Sequence, residues 1–117
     1  MKLNIDNYNQ SMPESKLFYV YILKCKDQSY YTGITSNLIE RVQQHQSGWK
    51  SDAYTHSRRP VELVFHVRFT NANDAIAFEK RVKGWSRKKK EALINGDFDL
   101  LKLLAKCRNE TSHINFS

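Results

Sequence analysis

Short aromatic and apolar runs separated by turn-forming residues follow residue 16, and they predict a β-hairpin. Residues 18–23 are aromatic and β-branched, a composition that favours a strand. Residues 26–29 supply turn chemistry, and residues 30–35 return as a second strand of similar character. The two strands are therefore expected to pair as neighbours in one sheet.

The hydrophobic period changes after the hairpin, and the next segment predicts a helix. Ser36 or Asn37 can cap its first turn, and Glu40 follows Asn37 at the spacing of a capping box. The helix is expected to end at about residues 45–47, because Gly48 is a favourable residue for a helix C-terminus.

A polar loop over residues 49–59 leads to a third strand. Pro60 opens this strand, which covers residues 61–69 and ends before Asn71. A strand of this composition needs partners for its backbone, and the hairpin supplies them.

Three helical segments complete the pattern. The first begins at about residues 73–74 and breaks near residues 84–86, where Ser86 can cap a second, basic helix. That helix ends at residues 95–96, and Asp97 can cap a last amphipathic helix.

The resulting order, β-β-α-β-α-α-α, predicts an α+β fold with a small three-stranded, mainly antiparallel sheet flanked by helices. One domain is expected over residues 17–106. Residues 1–16 are expected to form a flexible N-terminal extension, and residues 107–117 a flexible, polar C-terminal tail.

Composition places the chain among ordinary globular proteins. Hydrophobic residues make up 40% of the sequence, and no apolar stretch approaches the roughly 18 residues of a membrane span. The first 16 residues contain no continuous apolar run, so they do not resemble a signal peptide. Cys25 and Cys107 suit neither a disulfide framework nor a zinc site, and we expect a cytoplasmic protein without a membrane partner.

The charge balance favours a polyanionic partner. Lys and Arg total 19 against 12 acidic residues, a net charge of +7 that favours nucleic acid. A merely basic globular protein would show the same total. Residues 80–90, however, contain no acidic residue, whereas a solvated helix normally mixes both signs. We predict contacts with DNA, or with RNA, from these cations: Arg58, Arg59, Lys83, Arg87, Lys88, Lys89 and Lys90.

Glu79 interrupts an apolar helical stripe. At about 100° per residue, its side chain falls within about 40° of the centre of that stripe. A carboxylate that faces a core is costly unless it is paired, protonated or bound to a cation. A buried ion pair, or a carboxylate at the edge of the stripe, would also account for it. The stripe consists of Ala75, Ile76, Phe78, Val82 and Trp85.

His45 interrupts a second apolar series, on the first predicted helix. The series runs through Leu38, Val42 and Trp49, and His45 stands where a hydrophobic residue is expected. Arg41 lies one turn earlier and therefore on the same side. A lone histidine on an apolar face is usually a satisfied core residue, but two helices that each aim an ionisable group inward favour a shared site.

These groups suit phosphodiester hydrolysis. Mg²⁺ commonly takes one or two carboxylates, so Glu79 alone can hold one Mg²⁺ or Mn²⁺ ion. A guanidinium such as that of Arg41 can hold two phosphate oxygens and neutralise developing charge. Tyr21 and Tyr31 add phenols, which often only pack in strands and which relay protons if neighbouring cations lower their pKa. The sequence contains no nucleophile elbow, phosphate-binding loop, dinucleotide fingerprint or H-E-x-x-H zinc motif.

The same residues carry a resemblance to the GIY-YIG nuclease family, specifically its small single-domain bacterial members. Residues 19–21 match the first family motif, and residues 31–33 match the second. Arg41 and His45 match the Arg-x-x-x-His of the following helix, and Glu79 matches the metal-binding glutamate of the next. The basic stretch over residues 82–90 is also similar, so the resemblance covers residues 17–106.

Two positions depart from the motifs. Tyr19 stands where the first motif has Gly, and Thr32 replaces the Ile of the second. Both changes spare the tyrosines and Gly33, which the resemblance implies is structural. The resemblance further implies the three-stranded sheet with flanking helices, and metal-dependent cleavage of DNA.

The resemblance also implies a role for each matched residue. Tyr21 or Tyr31 activates the attacking water, with Tyr21 preferred, and His45 assists or orients the phenol. Arg41 stabilises the phosphate, and Glu79 binds the metal ion. Family members act as monomers or as transient homodimers, and both states are open for this chain.

A site that contains both tyrosines restricts the pairing register of the hairpin. Opposed residues share a face of the sheet, and side chains alternate along each strand. Tyr21 and Tyr31 therefore share a face only if an odd number of residues separates the paired strand ends, or if a bulge shifts the register. We predict one of these two arrangements.

Three functional hypotheses follow. The first is an endonuclease with structure-selective or weakly sequence-specific cleavage, because the predicted single domain offers few contacts for long sequence readout. The second is a DNA- or RNA-binding module of the same fold that does not cut, since phosphate contacts serve either function. The third, a protein-interaction domain, leaves the inward-facing Glu79 and His45 unexplained.

Overall fold

The computed structural model describes the backbone of residues 16–111 and the side chains of residues 16–105. The predicted α+β class and the order β-β-α-β-α-α-α are confirmed. The elements are β1 (Phe18–Lys24), β2 (Tyr30–Thr35), α1 (Leu38–Ser47), a short 3-10 turn (His56–Arg58), β3 (Glu62–Phe69), α2 (Ala72–Lys83), α3 (Arg87–Ile94) and α4 (Phe98–Thr111).

Helix α4 continues to Thr111, past the domain boundary expected at residue 106. The expected N-terminal extension lies outside the described residues except for Lys16, as do residues 112–117 of the expected C-terminal tail. Among the described residues, no helix is long and apolar enough to cross a bilayer.

The three strands form one antiparallel sheet in the order β2-β1-β3, so β1 is central. Residues 20–23 of β1 are all buried, because helices cover both faces of the sheet around this strand. This double coverage explains why β1 is a continuous apolar run rather than an alternating one. A register shift against β3 falls between Ile22 and Leu23.

The β1–β2 hairpin has the register that a two-tyrosine site requires. Lys24 pairs with Tyr30, so residues 25–29, an odd number, separate the paired ends. The backbone N–H of Cys25 donates to the carbonyl of Ser29 at 2.9 Å, which closes the turn. Leu23 pairs with Tyr31, and Tyr21 lies two residues before Leu23 on the same face. The prediction of an odd loop is confirmed.

The two faces of the sheet pack against different helices. Tyr21 and Leu23 pack on one face with Leu38 and Val42 of α1. On the other face, the buried core comprises Ile22 of β1, Val82 of α2 and Leu93 of α3, with Leu101 of α4 packed against them. Tyr21 therefore belongs to the face that α1 covers.

Helix ends follow the predicted capping chemistry. Asn37 caps α1 by accepting from the backbone N–H of Glu40 at 3.1 Å, and its side-chain amide donates to the Glu40 carboxylate at 3.1 Å. The second bond of the predicted capping box does not form, because the backbone N–H of Asn37 donates to Oγ1 of Thr35 instead. Gly48 ends α1 in the left-handed conformation, with φ of 74°. Helix α2 begins at Ala72, earlier than predicted, because Asn71 caps it by accepting from the N–H of Asp74.

Two residues assigned to apolar stripes are exposed. Trp49 is 48% exposed, because the left-handed Gly48 turns the chain away from the α1 axis and ends its helical period. Ile76 is 41% exposed, since it lies about 100° around α2 from the buried Ala75. Glu79 instead lies in the buried row of α2, with Ala75 and Val82.

Gly33 is the point where β2 must lack a side chain. A Cβ at this position would lie 2.5 Å from Cζ of Tyr21, so the Tyr21 ring crosses directly over the Gly33 backbone. Only glycine leaves room for this crossing, which takes the phenol across β2.

We expect Gly33→Ala to lower the free energy of unfolding by about 1–3 kcal/mol, because the added methyl group forces the buried Tyr21 ring to move. Denaturant unfolding measures the change. Gly84→Ala is the matched control, since a Cβ there meets its nearest atom, the Arg81 carbonyl oxygen, at an ordinary 3.6 Å. Equal effects of the two substitutions would contradict the crossing.

Candidate active site

A chain of hydrogen bonds joins β1, α1 and the loop before β3. The Tyr21 hydroxyl lies 3.0 Å from Nε2 of His45, and Nδ1 of the same imidazole lies 2.6 Å from Oγ1 of Thr55. All three side chains are buried. Both ring nitrogens of His45 are therefore satisfied, and the imidazole is fixed relative to the phenol.

The local structure explains how these groups meet. Tyr21 reaches across β2 because Gly33 opposes it in the sheet. His45 is the buried residue of α1, on the face that packs against the hairpin. Thr55 directly precedes the 3-10 turn, and its hydroxyl is hydrogen-bonded to the imidazole of His45.

His45 is held in the neutral form. Burial lowers its pKa, and the positive charge of Arg41 lowers it further. When the Tyr21 hydroxyl donates to Nε2, the proton of His45 resides on Nδ1 and is donated to Thr55. A neutral imidazole in this tautomer is a proton acceptor beside the phenol.

Tyr21 is a protonated phenol, and Arg41 alone does not lower its pKa below the ordinary value. Burial, assisted by Tyr31 and by the negative charge of Glu79, raises the pKa of Tyr21 to about 12. Arg41 acts in the opposite direction through a hydrogen bond and its charge, but burial outweighs it. The phenol therefore donates a hydrogen bond at neutral pH.

Tyr31 stands beside this pair on the same face of the sheet. Its ring centroid lies 6.3 Å from that of Tyr21 and 5.2 Å from that of His45. On another side it stacks on Tyr54, at 6.0 Å and an interplanar angle of 20°. The structure thus brings both predicted tyrosines and His45 together.

Glu79 lies on α2 and is only 8% exposed. Its carboxylate accepts from Nζ of Lys83, one turn later, at 2.8 Å. This is the ion pair that the sequence left open as an alternative, although the Lys83 side chain is 54% exposed. The negative charge of Glu79 helps to raise the pKa of Tyr21, and Tyr31 helps to raise the pKa of Lys83. Helix α2 therefore belongs to the same electrostatic environment as the two tyrosines.

Arg41 lines an open cleft next to the aromatic cluster. The cleft has a volume of about 230 Å³, and Tyr31 and His45 form part of its wall. The guanidinium Nε donates to the side chain of Gln44 at 3.1 Å, and Arg41 also makes a hydrogen bond to the Tyr21 phenol. Arg41 is thus placed between solvent and the Tyr21–His45 pair.

The donor set suits a hard divalent cation with few protein ligands. Within residues 16–105, no three His, Cys, Asp or Glu side chains converge, which fits neither a zinc site nor a multi-carboxylate site. A single, largely buried carboxylate suits Mg²⁺, which retains most of its water shell. Glu79 is the residue that would hold such an ion.

The predicted nucleic-acid-binding lysines differ in how far they are exposed to solvent. Lys88 is exposed, and Lys83 projects from α2 beside Glu79. Burial lowers the pKa of the half-buried Lys90. Lys89 is buried, with its ammonium 4.4 Å from the centre of the Trp85 ring, so we remove it from the candidates.

The candidate arginines are held by local partners. Arg87 pairs with Glu91 at 3.0 Å and lies over the Tyr30 ring. Arg58 pairs with Asp27 at 3.0 Å, and Nε of Arg59 donates to the His56 carbonyl at 2.8 Å. Nη1 of Arg87 also donates to the Gln28 carbonyl at 2.6 Å, so Arg58 and Arg87 both contact the β1–β2 turn.

Sequence reasoning missed Thr55 and Tyr54. A threonine in a polar loop carries no pattern, and only the fold shows its contact with His45. Tyr54 had a weaker signal, since it is aromatic within a polar segment.

Comparison with known proteins assigns the family. The model of the GIY-YIG catalytic domain matches residues 17–92. The chain belongs to the GIY-YIG family, and the resemblance inferred from its motifs is confirmed.

Individual relatives agree with this assignment. The UPF0213 protein of Bacillus pumilus is 47% identical over 76 residues, which cover 65% of this chain and 76% of the relative. The UPF0213 protein YazA of Bacillus subtilis is 43% identical over 81 residues, covering 69% and 81%. The solution structure of EF2693 from E. faecalis superposes with a TM-score of 0.52 at 32% identity, covering 73% and 88%. These names specify no activity.

We expect one tyrosine of the protein to ionise only near pH 12, and Tyr21→Phe to remove that step. Because the pKa of Tyr21 is raised above its ordinary value of 10, the folded state keeps a proton that the unfolded chain releases. The contribution of Tyr21 to stability is therefore complete below pH 10 and is lost as the pH rises towards 12. Absorbance titration of tyrosinate measures the step. A Tyr21→Phe curve that still contains it would contradict the assignment.

Proposed function

We propose that this protein is a divalent-metal-dependent endonuclease that hydrolyses DNA phosphodiester bonds, with structure-selective or weakly sequence-specific cleavage. RNA is a further possible substrate of the same chemistry. The proposal rests most directly on the buried Tyr21–His45 pair, whose members face each other at 3.0 Å beside Arg41.

A protein that only binds nucleic acid does not require this buried pair. Two ionisable groups in a core destabilise the fold unless their hydrogen bonds are satisfied. Here a third buried group, Thr55, satisfies His45, and His45 itself lines a solvent-accessible cleft while its Nε2 contacts the phenol. An arrangement that holds a neutral imidazole behind a phenol supports proton transfer rather than binding alone.

In the proposed reaction, Tyr21 and His45 act as a proton relay. The hydroxyl oxygen of Tyr21 accepts a proton from the attacking water while its own proton passes to Nε2 of His45. The imidazole then carries a positive charge, and its Nδ1–H remains hydrogen-bonded to Thr55. The relay needs no free phenolate in the resting protein, which agrees with the raised pKa of Tyr21.

Arg41 and Glu79 have electrostatic roles in this proposal. The guanidinium of Arg41 binds the scissile phosphate from the cleft side and neutralises charge that develops in the transition state. Glu79 holds the divalent cation, which when bound polarises the phosphoryl oxygen and stabilises the leaving alkoxide.

Lys83 is the group that a cation at Glu79 would displace. Its ammonium contacts the Glu79 carboxylate at 2.8 Å, and its side chain is half-exposed. A half-exposed pair of this kind contributes at most about 1 kcal/mol, so its displacement would cost little. The exposed Lys83 and Lys88 would contact phosphates next to the scissile one.

The proposal is tested by cleavage of linear, nicked and branched DNA in the presence of Mg²⁺ or Mn²⁺. We expect Glu79→Gln and Arg41→Ala each to reduce kcat/KM by at least about a hundredfold, because each removes several kcal/mol of transition-state stabilisation. Glu62→Gln, which neutralises an exposed carboxylate on β3, is the matched control and should cut normally.

The same assay separates a nuclease from a binding module. Glu79→Gln should still bind DNA, since the lost carboxylate repels phosphate. If the wild-type protein binds but cuts none of these substrates, or if Glu79→Gln cuts as well as the wild type, the proposed function is wrong.

A further inference from the structure

Two exposed aromatic rings flank the candidate active site. Trp49 is 48% exposed and Tyr54 is 42% exposed. Both line the cleft of about 230 Å³ that also includes Arg41, Tyr31 and His45. Two half-exposed aromatic rings on one cleft form an apolar surface that is open to solvent.

Tyr54 is a fixed wall of this cleft. Its ring stacks on Tyr31, and the guanidinium carbon of Arg58 lies 3.9 Å from its centroid. Arg58 is fixed in turn by Asp27 and by the Tyr54 carbonyl, at 3.0 and 2.7 Å. The ring is thus pre-organised without being buried, and its position is coupled to Tyr31.

Trp49 adds an exposed, flat apolar ring to the same cleft. Its backbone N–H donates to the carbonyl of Gln44 at 3.1 Å, which anchors the residue to the end of α1. Arg41 and Lys50 approach its ring only loosely, each at 5.8 Å from the centroid. Two cations beside an exposed indole are the components with which proteins hold single-stranded nucleic acid.

The cleft contains a hydrogen-bond acceptor for a nucleobase beside its cations. Asp52 lines the same cleft, and its carboxylate can accept from the exocyclic amine of a base. The volume is below the roughly 300–1,000 Å³ of typical small-molecule sites, which suits one ring system.

We propose that this cleft binds one unstacked nucleobase of the substrate, with Trp49 as the stacking platform and Tyr54 as a fixed wall. The inference rests on the proposed function and specifies its substrate: a strand with an unpaired nucleotide next to the scissile phosphate. Arg41 belongs to both regions, so it places the phosphate beside the bound base. A fully paired duplex keeps its bases stacked and cannot fill the cleft.

The test is binding of a fluorescein-labelled, single-stranded deoxyoligonucleotide, measured by anisotropy in EDTA with the full chain. The same strand with all bases replaced by abasic spacers retains the phosphates and lacks the rings. We expect Trp49→Ala to weaken binding of the intact strand about tenfold and to leave binding of the abasic strand unchanged. Trp49→Phe should restore most of the affinity, because it keeps an aromatic face.

Phe98→Ala is the matched control, since Phe98 is a 60% exposed aromatic residue that does not line the cleft. It should bind both strands like the wild type. Equal weakening of the two strands by Trp49→Ala, or no weakening of either, would overturn the base-binding cleft. A duplex bound as tightly as the single strand through Trp49 would also overturn it.

Because cleavage is blocked in EDTA, this experiment is independent of the cleavage assay. A wild-type protein that shows Trp49-dependent base binding and no cleavage would refute the proposed function while supporting the cleft.

Discussion

Tyr21 crosses the backbone of β2 at Gly33, and the site is arranged around this crossing. The odd hairpin loop puts Tyr21 and Tyr31 on the face that α1 covers, and the missing side chain at Gly33 lets the phenol extend to His45. Burial then fixes the protonation states, with a neutral imidazole and a phenol whose pKa is about 12. The geometry of the hairpin therefore determines the electrostatics of the site.

In the structure, the contacts of Glu79 oppose the ionisation of Tyr21. Glu79 is paired with Lys83 and raises the pKa of Tyr21, which opposes the loss of a proton from the phenol. A cation at Glu79 would cancel that negative charge and release Lys83, so binding and activation of the phenol would be coupled. In the proposed relay through His45 no free phenolate forms, so the high pKa of Tyr21 is compatible with its proposed role in catalysis.

Much of this could be predicted from the sequence, for identifiable reasons. Element order and caps depend on local chemistry, and Glu79 was conspicuous because a carboxylate in an apolar row breaks a regular period. The pKa of Tyr21 could not be predicted, since burial and the cations oppose each other and only packing decides between them. Thr55 and the burial of Lys89 were also hidden, because both depend on contacts between distant segments or on the path of a single side chain. The substitution of Thr32 for the Ile of the second family motif does not change the candidate site, since Thr32 faces the opposite side of the sheet from Tyr21.

The central claim, that one divalent cation binds at Glu79 beside the tyrosines, is tested most directly by Mn²⁺ titration of the isotope-labelled protein. Paramagnetic broadening of NMR signals falls steeply with distance, so it locates the ion without requiring turnover. The account predicts selective broadening of signals from Glu79, Lys83 and Tyr31 that is lost in Glu79→Gln. Broadening centred elsewhere, or unchanged in Glu79→Gln, would contradict it.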